Sequence, residues 1–215
     1  MVSGSDMHGT PITVTAQQEG KTPEEVAMHY HAINSKSIED MGISFDLFSH
    51  THTEEHFEAA RWILETLDKA GYIEPRVSEE PYDPVAKQFL PDRYVEGTCP
   101  HCDYESARGD QCDNCGKTLD SKELKNPRSK LNPDAKIEFR ETEHLFFKLS
   151  EFRDPLLEWL SSGKDHWRSS VINFTRNWLQ EGLIDRPITR DLEWGIDIQR
   201  EGYEKKRMYV WFEAV

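Results

Sequence analysis

The sequence lacks long apolar runs and is short of positive charge. No stretch approaches the roughly 18 consecutive apolar residues of a membrane span, and the first residues do not read as a signal peptide. Lys and Arg total 26 against 40 Asp and Glu, a net charge of −14. Because an acidic surface repels phosphate, we expect weak or no nucleic-acid binding by this chain, no membrane attachment and a cytoplasmic location.

Cysteine is also scarce, and its four copies are confined to residues 99–115. Two Cys-x2-Cys pairs are separated by nine residues, and they comprise Cys99, Cys102, Cys112 and Cys115. Four thiolates in this spacing are typical of a closed, structural zinc site. Two disulfides are the alternative, which a cytosolic location disfavours. With four cysteines available, we interpret His101 as a bystander.

The remaining composition predicts a folded α/β protein. The 215 residues include 23 aromatic side chains, enough for a core. Residues 1–4 predict a short buried strand that leads into a turn and a helix with Pro11 in its first turn. Thr22 and Thr53 are typical helix N-caps, and Glu25 completes a capping box. A proline-rich stretch from residue 72 predicts a loop-rich insertion with short strands.

The C-terminal half alternates strand and helix patterns. Residues 139–149 predict a strand, and two amphipathic helices follow, ending at Gly163 and Gly182. Residues 208–212 predict a buried strand. An α/β segment, a cysteine-containing β segment, helices and a second β segment together indicate a domain interrupted by an insertion.

Several motifs follow one another along essentially the whole chain: SGSDMHGTPI, GISFDLF, FLPDRYVEGTCPHC, ARGDQCDNCGKTL, RETEHLFFKL, NWLQEGLIDRPITRDLEWG and YVWFEAV. In this order they resemble the motifs of methionyl-tRNA synthetases. The resemblance implies part of a Rossmann-type class I catalytic domain, interrupted by a zinc-knuckle connective insertion and accompanied by amphipathic helices. It implies catalytic-domain segments at 1–71 and 187–215, a connective polypeptide at 72–149 and helices at 150–186 that return to the catalytic domain.

The same resemblance implies an activity. The family activates methionine with ATP and Mg²⁺ to methionyl-adenylate and then transfers methionine to tRNA(Met). In both steps the enzyme mainly positions reactants and offsets phosphate charge. One structural zinc, ATP, Mg²⁺, methionine and tRNA(Met) are therefore the expected cofactors and partners of the full-length enzyme.

The resemblance also assigns candidate site residues. Asp6 matches a carboxylate that holds the α-ammonium of methionine, and an N-cap is its alternative. Trp211 and Ala214 match the methionine side-chain pocket, where an aromatic wall suits a thioether. Ordinary strand core is the alternative for Trp211. His8 is a further substrate-binding candidate, and it could instead only shape its turn.

Three candidates concern ATP and the insertion. Arg190 matches an arginine that contacts ATP phosphates, for which a planar fork of donors is suited. A salt bridge to Asp191 or Glu193 is the alternative. Asp92 and Arg93 are expected to support the site where the connective polypeptide approaches it. We predict no second metal among the histidines at 50, 52 and 56.

Two family signatures are absent from the sequence. HIGH, expected upstream, and KMSKS, expected downstream, both serve ATP in the family. We therefore predict an internal fragment that is inactive by itself. The alternative hypothesis is a standalone zinc-binding module that docks onto a protein, or one subunit of a split synthetase.

Overall fold

The structure is a computed structural model that describes residues 1–132, 134–164 and 166–214. Its helices are α1 Thr10–Glu19, α2 Pro23–Asp40, α3 Glu54–Lys69, α4 Arg153–Leu160, α5 Ser169–Glu181 and α6 Val210–Glu213. Its strands are β1 Val2–Ser5, β2 Leu47–His50, β3 Ile73–Asp83, β4 Gln88–Phe89, β5 Val95–Thr98, β6 Ala107–Arg108, β7 Lys125–Ser129, β8 Glu138–Phe147, β9 Arg186–Pro187, β10 Thr189–Arg190 and β11 Arg207–Met208.

Helices α2 and α3 begin where their capping residues predict. The Thr22 hydroxyl accepts a hydrogen bond from the Glu25 amide while the Glu25 carboxylate accepts one from the Thr22 amide, which is a complete capping box. The Thr53 hydroxyl accepts from the His56 amide in the same manner. Both helix starts are therefore determined locally.

The N-terminal strand pairs with β2 in parallel, from Val2 opposite Leu47 to Ser5 opposite His50. Gly4 is needed there, because a Cβ at this position would lie 2.7 Å from the Ser49 carbonyl oxygen. The prediction that residues 1–4 are buried is wrong, since they are exposed. Within the described residues this sheet has two strands, and His31 of α2 lies against Phe48 and His50 of β2.

A long antiparallel pair, β3 with β8, supports the middle of the molecule from Ile73–Phe147 to Tyr82–Glu138. The sequence predicted β8, as the strand at 139–149, but only short strands and loops along β3, because of the prolines there. Pro75 and Pro81 are tolerated since β4 pairs with the free side of β3 only at Tyr82 and Asp83. A proline without an amide hydrogen fits such an edge.

The part of the sequence between β3 and β8 contains a separate three-stranded sheet, in the order β6-β5-β7. We call residues 84–137 the cysteine module. Most of its buried apolar side chains form one cluster, the module core: Leu90, Tyr94, Val95, Cys99, Ala107, Cys112, Leu124 and Ile137. Cys99 and Cys112 thus belong to a core drawn from nearby sequence, whereas Cys115 is exposed.

A second cluster, the main core, draws on distant segments. Its members are Ala60, Leu64, Ile73, Leu145, Ile188, Ile196, Ile198, Tyr203, Met208 and Phe212. It joins α3, β3 and β8 to the C-terminal segment. Helices α4 and α5 pack on each other, and they leave Trp159, Phe174 and Trp178 exposed. No helix in the described part of the chain combines the length and the apolar composition required to cross a bilayer.

Residues 208–212 do not form the predicted strand. Strand β11 ends at Met208, because its partner β10 offers only Thr189 and Arg190 for pairing. The backbone then turns into α6, in which the Phe212 and Glu213 amides donate to the Tyr209 carbonyl. Aromatic and β-branched residues favour strands only where a sheet surface is available, and the tertiary context overrides that preference here.

Candidate functional site

The four cysteine sulfurs form the metal-capable group of the described residues. All four ligand atoms lie within 4.8 Å of one another. The Sγ atoms of Cys99 and Cys115 are 3.9 Å apart, and those of Cys102 and Cys112 are 3.6 Å apart. A tetrahedral Zn²⁺ with Zn–S bonds of about 2.3 Å places sulfurs about 3.8 Å apart. All four cysteines are free thiols, so the disulfide alternative does not apply to this structure.

Both Cys-x2-Cys pairs are held by matching backbone turns. The Asp103 amide donates to the Cys99 carbonyl, and the Gly116 amide donates to the Cys112 carbonyl. Asp103 and Gly116 occupy equivalent places and both have left-handed backbone, with φ of 58° and 72°. The two halves of the cysteine site are therefore built by the same local fold.

The cysteine site is also electrostatically prepared for a cation. A hydrogen bond from Asn114 Nδ2, at 3.6 Å, is the main cause that lowers the pKa of the Cys102 thiol to about 6. The His101 amide donates to Cys99 Sγ at 3.4 Å. Four sulfurs fill a tetrahedral shell, so an ion held there keeps no open position for a reacting water.

A second site lies where the turn after β1 meets α6. His8 is 5% exposed, and the side chain of Glu213 is fully buried. His8 Nδ1 lies 2.7 Å from Glu213 Oε1, a contact between residues 205 apart in sequence. His56 Nε2, from α3, lies 2.8 Å from Glu213 Oε2. One carboxylate thus bridges three distant segments.

The histidine chain extends further and is covered by an indole ring. His8 Nε2 lies 3.0 Å from His52 Nδ1. The Trp194 ring centroid is 5.3 Å from that of His8 and 4.5 Å from that of His52. Trp194 Nε1 donates to the Met7 carbonyl at 2.9 Å. The indole therefore fixes both the turn and the rings. We call His8, His52, His56 and Glu213 the histidine–glutamate network.

Asp6 lies exposed at the edge of this network. Its pKa is raised, first because the surrounding protein displaces water from it and also because of the charge of Glu213, while a backbone hydrogen bond from His8 opposes the change. Burial, with a contribution from His8, lowers the pKa of His52. An accessible carboxylate beside a buried, fully bonded one is suited to bind an ammonium group.

The other predicted pocket residues lie on α6 or directly after it, beside Glu213. Trp211 is 39% exposed, so the alternative interpretation of this residue as ordinary strand core does not hold. Ala214 follows the helix and is exposed. Val215 lies outside the described residues. The structure therefore brings the segment carrying Trp211 and Ala214 to the Asp6 turn through Glu213 and His8.

Arg190 lies elsewhere, on β10. Its guanidinium stacks over the Tyr209 ring at 4.4 Å, and Nη1 donates to the Thr189 carbonyl. Asp191, one of its two alternative partners, pairs with Lys206 at 2.7 Å. Stacking on Tyr209, two residues before Trp211, gives Arg190 a fixed place beside the segment that leads into α6.

Arg93 belongs to the cysteine module and not to the histidine–glutamate network. Its Nε donates to Asp110 at 3.1 Å, and it lines a cavity of about 760 Å³ between α1 and the module. Arg108 and Lys130 line the same cavity. Asp92 begins a 3₁₀ turn that ends at Tyr94; its side chain is outside the described part of the structure.

The sequence did not lead us to group Glu213, His52, His56 and Trp194. For the histidines it led only to the prediction that they hold no second metal. A signal was present, because Glu213 is an acidic residue within the otherwise apolar run 209–214. An acid in such a run is buried only when partners satisfy it.

The chain belongs to the class I tRNA synthetases: the family described as "tRNA synthetases class I (M)" matches residues 1–215. Among its relatives are methionine–tRNA ligases of Thermomicrobium roseum, 54% identical, and Dehalococcoides mccartyi, 55% identical. The one from Thermoplasma acidophilum is 49% identical. Each match covers the whole of this chain and 36%, 38% and 39% of those relatives, respectively.

A solved structure shares the fold. Mycobacterium tuberculosis methionyl-tRNA synthetase in complex with methionyl-adenylate superposes with a TM-score of 0.70 at 21% identity, over 99% of this chain and 37% of that one. The expected α/β class I fold with a metal-capable cysteine insertion is confirmed. So is the expectation that the chain corresponds to part of a methionine–tRNA ligase.

Proposed function

We propose that the chain contributes a methionine-binding site to a methionine–tRNA ligase. The complete enzyme activates methionine with ATP and Mg²⁺ to methionyl-adenylate and transfers it to tRNA(Met), in the cytoplasm. The observation that carries the proposal is the contact between His8 and Glu213. It joins the Asp6 turn to the helix of Trp211 in a chain about half identical to methionine–tRNA ligases.

Each predicted residue has a role in this proposal. Asp6 binds the α-ammonium of methionine, and Trp211 and Ala214 contact the thioether side chain. His8 supports the same pocket from beneath, since it is buried. Arg190 contacts ATP phosphates. Asp92 and Arg93 support the approach of the cysteine module to the substrates.

The ammonium role of Asp6 is testable by calorimetry on the zinc-loaded chain. Methionine and 4-(methylthio)butanoate differ in the α-ammonium, so the unmodified chain should bind methionine more tightly. In Asp6→Asn the preference should fall roughly tenfold or more, because a charge-assisted hydrogen bond is lost. Glu143→Gln, at an exposed carboxylate elsewhere, is the matched control. Equal binding of both ligands by the unmodified chain would refute the proposed role.

We also propose that the ion of the cysteine module is Zn²⁺, one per chain. The sulfur spacing supports a tetrahedral ion, and thiolate ligands select zinc over harder cations. Metal analysis of purified chain should return one zinc, and the four thiols should resist titration until the protein unfolds. A chain with no metal and freely reactive thiols would reject this assignment.

Activity of the chain alone is a separate matter. We propose that it does not catalyse methionine-dependent ATP–pyrophosphate exchange, because HIGH and KMSKS are absent from its sequence. We also propose weak or no tRNA binding by the chain, given its net charge of −14. Exchange above background by purified chain would contradict the first statement.

A second candidate is a zinc-binding docking module or one subunit of a split enzyme. The exposed aromatic side chains of α4 and α5 favour this candidate, since large apolar patches often mark interfaces. The DNA on either side of the coding segment distinguishes the two. In-frame HIGH and KMSKS motifs support one continuous enzyme, whereas native start and stop codons support the second candidate.

A further inference from the structure

The buried carboxylate of Glu213 has no role in the proposed chemistry, yet it holds two histidines. An ionised carboxylate only accepts hydrogen bonds. Both nitrogens that face it must therefore carry hydrogen: Nδ1 of His8, at 2.7 Å, and Nε2 of His56, at 2.8 Å. The carboxylate thus determines one tautomer for each of the two rings.

The constraint propagates to His52. When His8 is neutral and carries its hydrogen on Nδ1, its Nε2 has a lone pair, and His52 must donate from Nδ1 across 3.0 Å. A neutral His52 agrees with the lowering of its pKa by burial. Trp194 and Phe57 lie against both His8 and His52 and limit their rotation. All contacts of the histidine–glutamate network are then satisfied by one arrangement of hydrogens.

The network also sets where the pocket segments lie. His8 is two residues from Asp6, His56 is on α3, and Glu213 lies between Trp211 and Ala214 on the α6 segment. The charge of Glu213 is close enough to Asp6 to affect its pKa. The hydrogen bonds from both histidines compensate the charge of the buried Glu213 carboxylate. Asp6 is exposed and is therefore the carboxylate that a ligand can reach.

We propose that Glu213 is a positioning residue of the methionine site, which fixes the tautomers of His8 and His56 and thereby holds the Trp211 segment against the Asp6 turn. This inference rests on the proposed function, because it assigns Glu213 a part in binding methionine. Glu213 itself touches no substrate atom in this assignment.

The most informative variant is Glu213→Gln, which keeps the size of the side chain. A glutamine offers one oxygen acceptor and one NH₂ donor. One of the two histidines then faces a donor and must present a lone pair, so its neutral tautomer must change. Glu213→Asp keeps both acceptor oxygens and should preserve the tautomers. Glu143→Gln removes a carboxylate that accepts from Tyr203 at 2.7 Å, outside the network, and is the matched control.

Two measurements on the zinc-loaded chain test the proposal. Long-range ¹H–¹⁵N spectra of histidine-labelled protein, assigned with single histidine variants, should show hydrogen on Nδ1 of His8 and on Nε2 of His56. Glu213→Gln should move at least one of these signals to the other tautomer and weaken methionine binding roughly tenfold. Glu213→Asp should retain the tautomers and recover most of the affinity, and Glu143→Gln should match the unmodified chain.

The outcomes separate this inference from the proposed function. If Glu213→Gln keeps both tautomers, or binds methionine as tightly as the unmodified chain, the positioning role is overturned while the proposed function stands. If the unmodified chain binds no methionine, the proposed function and the positioning role both fail. Loss of folding in Glu213→Gln is recognised by tryptophan emission. In that event the tautomers of the unmodified chain and of Glu213→Asp decide whether the positioning role holds.

Discussion

The cysteine module and the histidine–glutamate network bring their functional side chains together in opposite ways. The four thiols lie within residues 99–115, and two matching backbone turns aim them at one point. His8 and Glu213 meet across 205 residues, and the main core connects the same distant segments. The first site is built by local geometry around a position that can hold a metal ion, whereas the second exists only when the segments on both sides of the cysteine module have folded together.

The two regions carry separate reporters, which makes the comparison measurable. All six tryptophans, at 62, 159, 167, 178, 194 and 211, lie outside the cysteine module at 84–137. Tryptophan emission therefore reports on the rest of the chain, and thiol reactivity reports on the module. Hydrogen bonding between Tyr94 and Thr13, at 3.1 Å, is one direct link between them.

Metal removal should have the largest effect and should be confined to the module. Structural zinc contributes on the order of 10 kcal/mol to folding. Chelation with EDTA should make all four thiols reactive and collapse the module signals in NMR spectra, while the emission of Trp194 and its neighbours changes little. Readdition of zinc should restore the module. A parallel loss of both reporters would show that the two regions fold as one unit.

Acid should also destabilise the main-core side, through His144. This histidine is 1% exposed, and burial, aided by the charge of Lys206 and opposed by Asp191, lowers its pKa to about 3. Arg190 also lies near, and Thr189 is within hydrogen-bond distance of Nδ1. The unfolded chain takes up this proton near pH 6.5, so the stabilisation is complete above that pH and is lost as the pH falls toward 3.

The loss amounts to at most about 5 kcal/mol for a shift of this size. Urea unfolding followed by tryptophan emission between pH 7 and pH 4 measures it. His144→Gln should flatten this dependence. Burial tends to raise the pKa of Asp185, but hydrogen bonds from Ser150 and Arg76 outweigh it and lower this pKa to about 2. The contribution of Asp185 to stability is therefore lost only below about pH 4. An unchanged pH dependence in His144→Gln would rule out His144 as the cause.

Leu145→Ala tests the independence of the module from the other direction. Leu145 is 1% exposed in the main core, and truncation of such a side chain costs about 3 kcal/mol. The tryptophan-detected unfolding midpoint should fall, and the zinc affinity should not change. Val95→Ala, at a residue fully buried in the module core, is the matched variant. It should lower the zinc affinity and leave the tryptophan-detected midpoint unchanged. A drop in zinc affinity for Leu145→Ala would contradict the separation.

The smallest predicted effect concerns the two equivalent turns of the cysteine site. Gly116→Ala places a Cβ in left-handed backbone and should cost about 1 kcal/mol, although nothing lies within 4 Å of that Cβ. Asp103→Gly relieves the corresponding strain on the other side and should stabilise the module, since the exposed Asp103–Lys125 pair contributes little. Competition with a chromophoric chelator compares the zinc affinities. If both substitutions changed the zinc affinity in the same direction, the two turns would not be equivalent.

The sequence alone determined the features that depend on neighbouring residues. Helix starts at Thr22 and Thr53 follow from side chains that reach the next turn. The cysteine site follows from two short spacings, and the identity of the family from motifs in order. These features need no long-range information, because each is satisfied within one or two turns of backbone.

Only the tertiary structure decided the exposure of the N-terminal strand, the long β3–β8 pair and the replacement of the 208–212 strand by α6. It alone joined Glu213 to His8, His52 and His56. Whether an apolar segment becomes strand or helix depends on the partner strands available, and a buried acid finds its partners only in the folded chain. Contacts of that kind leave no spacing in the sequence, so no periodicity could reveal them.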